Sequence, residues 1–253
     1  MMTQNIAELI NILQTQKEIF GDDLYENVPI PEIILSENTA EEIALKTPTV
    51  IKEKTQVKFE TKKYDFQNSE NLETLDNLIN QCQKCILGST RTSFVFGVGN
   101  PNADLMLIGE APGAEEDKQG IPFVGRAGKL LTDILKAINF DREEVYIANI
   151  LKCRPPNNRD PLPAERAMCS PYLMKQIELI NPKIILCLGR ISANVLLGKN
   201  ESLTRLRENV YDFNGIKLMA TYHPAALLRN PNWKKGCWED VKKVRKLYDE
   251  LNK

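Results

Sequence analysis

The sequence predicts an α/β protein: a three-layer sandwich around a central, mainly parallel four-stranded sheet, preceded by an N-terminal extension. Three observations carry this. From about residue 70, strand-like apolar runs alternate with helix-like stretches, an order that forms parallel sheets covered by helices. Each strand expected at the centre stops at a group of polar or small residues, as strands do where a doubly wound sheet builds its site. A chain of 253 residues, 42% hydrophobic and 26% charged, can also bury one sizeable core with an appendage.

The elements follow in order. Ile6, Leu9, Ile10 and Leu13 have helical spacing and predict a short amphipathic helix, after which Pro29, Pro31, Pro48 and the polar run KEKTQVKFETKK read as a linker. Leu72, Leu75, Leu78 and Ile79 form a helical stripe, so residues 1–70 are set apart as an extension and 71–253 as the main domain. Strands are expected at 103–108, 145–151, 183–188 and 217–222. Between them lie helices marked by Leu130, Leu131, Ile134, Leu135 and Ile138, then over 164–180 and 192–197. Trp238, Val241, Val244, Leu247, Tyr248 and Leu251 give the last helix one apolar face.

Charge is unevenly spread. Residues 1–75 hold 14 acidic and 7 basic side chains, residues 76–253 hold 20 and 26, and the total is −1. A cationic body suits a polyanionic partner such as nucleic acid, and a merely solvated surface equally well. The opening MMTQNIAELI has neither a basic n-region nor an apolar h-region, and no apolar run is long enough to span a bilayer, so a soluble, cytoplasmic protein is expected.

In reducing cytosol, cysteines in a Cys-x-x-Cys layout bind metal more often than they form disulfides. Cys82 and Cys85 make such a pair, and Cys153 and Cys169 are single cysteines further on. A four-cysteine zinc site and an iron–sulfur cluster would use the same ligands. Cys187, inside IILCLG, and Cys237, beside Trp238, read as structural.

The strand ends hold the remaining chemistry. Gly109-Glu110-Ala111-Pro112-Gly113 places a carboxylate in a turn of small residues that a ligand can approach. Asn149 is an amide among apolar neighbours, able to donate and accept at a base edge. Phe123, between proline and glycines, is expected to be exposed enough to stack on a planar ligand. His223, the one histidine, follows a strand and precedes a proline and the loop AALLRNP, where a neutral imidazole could donate to a leaving group.

Together GEAPG (109–113), PFVGRAG (122–128), NILKCRPPNNRDP (149–161), HPAALLRNP (223–231) and the four cysteines resemble the family 4 uracil-DNA glycosylases, the iron–sulfur branch of that superfamily. The resemblance covers about residues 70–253 and leaves the extension outside it. It implies a 4Fe–4S cluster on Cys82, Cys85, Cys153 and Cys169, structural or DNA-orienting rather than redox-active. It implies a monofunctional DNA glycosylase that flips uracil from DNA and leaves an abasic site, with Glu110 and His223 catalytic and Gly109, Ala111, Phe123 and Asn149 also binding substrate. Leu227 stands at the position of the DNA-penetrating wedge, and Arg229, Arg126 and Arg154 are expected near phosphates, with Lys129 and Arg159 as weaker candidates. A monomer acting on uracil-containing DNA is expected, with a possible repair or replication partner for the extension. Glu110 argues against a family 5 relative, which lacks that carboxylate. Ala111 and the lone histidine argue against the covalently trapping relatives. The alternative from another class is a non-catalytic metal-containing nucleic-acid-binding module on the same fold.

Overall fold

The computed structural model describes residues 66–253. The amphipathic helix expected around Ile6 to Leu13 and nearly all of the linker lie outside the described residues. The first elements are a short 3-10 turn at Phe66–Asn68 and helix α1 (Leu72–Ile79), whose cap Asn71 accepts from the Thr74 N–H. Helix α2 (Leu87–Thr90) follows the cysteine pair. Four parallel strands form the middle of the sheet: β2 (Leu105–Gly109), β3 (Tyr146–Asn149), β4 (Ile184–Leu188) and β6 (Ile216–Thr221). They are the expected four. Two short antiparallel edges, β1 (Val98–Gly99) and β5 (Tyr211–Phe213), extend the sheet to six strands in the order β1-β3-β2-β4-β6-β5.

The strands are buried on both faces, and alternation sorts their side chains into two cores. Met106, Ile108, Tyr146, Ala148, Ile185, Cys187, Leu218 and Ala220 join one core. It is covered by α1, α5 (Pro163–Ile180), α6 (Arg190–Leu197) and α7 (Leu203–Arg207). Leu105, Leu107, Ile147, Ile184, Leu186, Leu188 and Met219 join the other. There α4 (Gly125–Ala137), α8 (Pro224–Arg229) and α9 (Lys234–Leu251) close over them. The result is the expected three-layer sandwich. Cys187 and Cys237 are buried, one in each core. Among the described residues no helix is long and apolar enough to cross a membrane.

Local chemistry explains where helices begin. Pro163 opens α5 at a position that needs no N–H, and Glu165 accepts from the Leu162 N–H at 2.8 Å. Helix α3 (Ala114–Gln119) follows β2 and stops at Gly120, whose φ of 72° suits glycine. The segment AALLRNP is a correction to the expected loop: Pro224 begins α8 and His223 caps it. With the order reversing at β2, the chain from β2 crosses to β3 on one side and later strands lie on the other, which leaves a crevice beyond the carboxyl ends.

The end of β6 is braced from behind. Asp240 is buried and its Oδ2 accepts from Arg207 Nε at 2.6 Å and from Thr221 Oγ1 at 2.8 Å. Arg207 Nη1 also donates to the Tyr222 hydroxyl at 2.7 Å, and Tyr222 stacks on Trp233. Removing one partner of such a pair leaves an uncompensated buried charge. Asp240→Ala should therefore lower unfolding free energy by about 3 kcal/mol or more in urea titration.

Candidate active site

The register of β2 against β3 sets Gly109 level with Asn149. A Cβ on Gly109 would lie 2.4 Å from Asn149 Oδ1 and 2.6 Å from Phe123 Cζ, so only glycine permits the two side chains to close over the strand end. Phe123 adopts the left-handed region at φ 51°, and its carbonyl sits where a Cβ on Gly128 would come within 1.8 Å. The PFVGRAG segment thus needs its second glycine for the backbone to pass. A non-glycine residue held in this region costs about 1–3 kcal/mol and persists where surroundings over-determine it.

A cavity of about 350 Å³ opens here, lined among others by Glu110, Ala111, Phe123, Asn149, His223 and Arg229. Its volume suits a small planar ligand. Phe123 is 6% exposed, a correction to the exposure expected from its flanking glycines, and the ring forms a cavity wall instead. The Phe123 and His223 ring centroids are 5.4 Å apart. Asn149 is buried and its Oδ1 is without a hydrogen-bond partner. A buried amide oxygen left so is costly, and it fits an N–H donor entering the cavity.

The two ionisable groups are tuned in opposite ways. The Ala225 N–H donates to His223 Nδ1 at 3.2 Å, which leaves the proton of a neutral imidazole on Nε2. Burial, with the Arg229 charge adding to it, pulls His223 down to about 4, so the ring is neutral at physiological pH. Glu110 is half-buried, and no hydrogen bond or ion pair among the described residues engages its carboxylate. Burial and the neighbouring Asp160 push it up to about 7, against the pull of Arg190 and Arg166. At neutral pH it exchanges readily between charged and neutral forms.

Sequence reasoning passed over the group that joins the first two motifs. Glu116 accepts from the Gly113 N–H and the Val124 N–H, each at 3.1 Å, so one carboxylate ties the GEAPG turn to the phenylalanine loop. Its signal was present as a glutamate three residues after the helix cap. Asp160, on the cavity wall, gave no comparable signal.

The four cysteines come together beside the first core. Cys153 and Cys169 are buried within it, and Cys82 and Cys85 pack against it. Donors face their sulfurs: Arg91 Nη1 to Cys153 at 3.3 Å, the Tyr172 hydroxyl to Cys82 at 3.2 Å, and the Lys152 N–H to Cys169 at 3.3 Å. Arg91 also holds the Cys-x-x-Cys turn through the carbonyls of Cys82 and Asn80. Burial raises the Cys169 thiol to about 12, so a thiolate there calls for a compensating centre. Among the described residues no three His, Cys, Asp or Glu side chains are set closely enough to hold a single metal ion. Sulfur-directed donors and nearby cations suit an anionic, thiolate-ligated cluster.

The residues expected to face DNA divide. Arg229 is exposed at the cavity, and Arg126 is exposed in the first turn of α4. Arg154 is half-buried and donates to Asn158 Oδ1 at 2.8 Å. Leu227 is a correction: it is 1% exposed and packed in the second core, whereas Leu228 is 36% exposed. Helical geometry in α8 turns one leucine inward and its neighbour out. Arg159 is likewise engaged, in a two-bonded pair with Glu165 at 2.9 and 2.5 Å.

The family model of the Uracil DNA glycosylase superfamily matches residues 96–244. A type-4 uracil-DNA glycosylase of Archaeoglobus fulgidus is 44% identical over 187 residues, 70% of this chain and 94% of the relative. That of Sulfurisphaera tokodaii is 48% identical over 187 residues, 70% of this chain and 85% of the relative. For Thermotoga maritima the values are 43% over 184 residues, 71% and 96%. The chain belongs to the uracil-DNA glycosylase superfamily, and its type-4 resemblance holds across these relatives.

Proposed function

We propose that the protein hydrolyses the N-glycosidic bond of uracil in DNA, a first step in repair of deaminated cytosine. The observation that carries this is the buried, unpartnered Asn149 Oδ1 in a cavity lined also by Phe123, Glu110 and His223. A base inside a duplex cannot reach such a recess, so the nucleotide enters flipped out of the stack. Phe123 stacks on its face. The Asn149 oxygen accepts from uracil N3–H and its amide donates to O4. Cytosine presents the reverse pattern and would leave both groups unpaired, which disfavours it by on the order of ten-thousandfold.

As the bond between C1′ and N1 breaks, its electron pair goes to uracil and the sugar becomes cationic. His223 Nε2–H donates to the developing charge on O2, a role for which a neutral imidazole is suited. Glu110, in its ionised form, stabilises the sugar cation and orients the water whose oxygen bonds to C1′. Gly109 and Ala111 let the substrate approach the backbone. Arg229, Arg126 and Arg154 contact phosphates, and Leu228 rather than Leu227 is the outward apolar residue of α8.

Cys82, Cys85, Cys153 and Cys169 hold a 4Fe–4S cluster in this reading. Such a cluster cross-links the turn after α1 to the loop after β3 and takes no part in bond cleavage. The enzyme works in the cytoplasm as a monomer on uracil-containing DNA. Residues 71–253 form the catalytic domain, and residues 1–70 an extension open to a repair or replication partner.

Incubation with a uracil-containing oligonucleotide followed by alkali should give strand scission. No scission at any protein concentration would overturn the reading in favour of a nucleic-acid-binding module. Asn149→Asp, which cannot donate to O4, should slow uracil release by at least about a hundredfold and admit cytosine. Release rates on matched uracil and cytosine substrates measure both effects.

Glu110 yields a pH prediction in two parts. Activity should fall as pH drops through about 7, with no loss from His223 protonation until about 4. A carboxyl raised on folding favours the neutral form, so its contribution is most favourable below the unfolded value of 4.5 and is lost as pH rises through about 7. Glu110→Gln should therefore remove activity yet raise the melting temperature at pH 8, with little change at pH 4; equal shifts at both pH values would contradict the burial argument.

Metal analysis of anaerobically purified protein should find about four irons per chain with little zinc, and Cys85→Ser should lower the iron content.

A further inference from the structure

Lys152 stands between Leu151 and Cys153 on the loop leaving β3, and it is completely buried. An ammonium group in such a place persists only when it is hydrogen-bonded and balanced by charge. Its Nζ donates to the backbone carbonyl of Asn149 at 2.9 Å and to Gln176 Oε1 at 2.6 Å. Gln176, on α5, is held in turn by the Phe96 carbonyl at 3.0 Å and the Tyr146 hydroxyl at 3.4 Å. The carboxylate of Asp76, on α1, contributes a favourable charge interaction with the ammonium. The main chain of Lys152 is tied as firmly: its N–H donates to Cys169 Sγ at 3.3 Å, and its carbonyl accepts from the Val95 N–H at 2.8 Å.

These bonds meet at one residue. Asn149 is the last residue of β3, and the next N–H, of Ile150, already pairs with the Gly109 carbonyl. The ammonium holds the peptide carbonyl of Asn149 from the opposite side, so the orientation of this peptide, and with it the aim of the Asn149 side chain, is bounded by two hydrogen bonds. One bond comes from the sheet, the other from a residue whose own backbone binds a cysteine of the quartet.

We infer that Lys152 is a positioning residue for base recognition, a buried link that fixes the Asn149 carboxamide relative to the Cys153 and Cys169 loop and helix. The inference rests on the uracil-excising reading. It assigns Lys152 no contact with substrate and no proton transfer. It makes the cysteine quartet matter to recognition through geometry, since Lys152 adjoins Cys153 and binds Cys169.

The test uses the full-length protein and Lys152→Met, which keeps the length of the side chain and removes the ammonium. Iron content and melting curve are recorded first. The expected outcome is retained iron, single-turnover uracil release slower by on the order of tenfold to a hundredfold, and inhibition by free uracil weakened to a similar degree. Binding to abasic DNA, which has no base to read, should be unchanged. Equal losses on abasic DNA and on uracil, or unchanged uracil inhibition with iron retained, would overturn the role.

If Lys152→Met loses iron, Gln176→Leu decides, because it removes the other acceptor of the ammonium without adjoining a cysteine. It should weaken free-uracil inhibition in the same direction, and an unaltered value would overturn the inference. Where both variants keep iron, the double variant should lose less than the product of the single losses, as residues of one network do. Failure of the unmodified protein to release uracil would instead defeat the parent reading and take the positioning role with it.

Discussion

Parallel pairing of β2 with β3 is the constraint on which the site depends. Their register places Gly109 beside Asn149, and the pairing runs beyond the strands, through Ile150 N–H to the Gly109 carbonyl and Leu151 N–H to the Glu110 carbonyl, each at 3.0 Å. Glu110 and Asn149 are therefore mounted on a continuing hydrogen-bonded ladder rather than on free loops. Such mounting keeps reacting groups within the tight tolerances that recognition and catalysis demand. The missing side chain of Gly109 creates the space into which Phe123 closes. The missing side chain of Gly128 in turn leaves room for the Phe123 carbonyl, so two glycines on different elements shape one aromatic wall.

Burial acts on the site's ionisable groups with opposite functional results. For His223 it removes the charge and, with the Ala225 N–H on Nδ1, selects the tautomer that donates from Nε2. For Glu110 it opposes the charge that the proposed sugar cation would favour, and no hydrogen bond among the described residues offsets the cost. In the proposed reaction, a carboxylate left without partners in a half-buried cavity is available to a cation that develops only in the transition state. The buried Asn149 oxygen likewise has no partner among the described residues, and in the proposed reaction the uracil N3–H supplies one.

Much of this arrangement is legible in the chain itself because parallel strands, buried on both faces, announce themselves as short apolar runs. The four central strands stand within two residues of where the apolar runs 103–108, 145–151, 183–188 and 217–222 place them. The edge strands β1 and β5 are only two and three residues long and carry no such run, so their pairing depends on neighbours distant in sequence. Helix α8 was hidden by the prolines and asparagine around AALLRNP, although Pro224 is acceptable at a first helical position. Glu116 carried a local capping signal, whereas Lys152, one letter before a cysteine, carried none.

By itself the sequence determined the fold class and the family, and it nominated the candidate site residues, because those follow from residue type, spacing and order. Only the tertiary structure decided which side chains meet. It buried Leu227 and exposed Leu228, tied Arg159 to Glu165, enclosed Phe123, and placed the Lys152 ammonium between Asn149 and Gln176. The physical reason is range. Propensity and periodicity act over a few residues, while burial, partner and charge state depend on segments that the sheet brings together from distant parts of the chain.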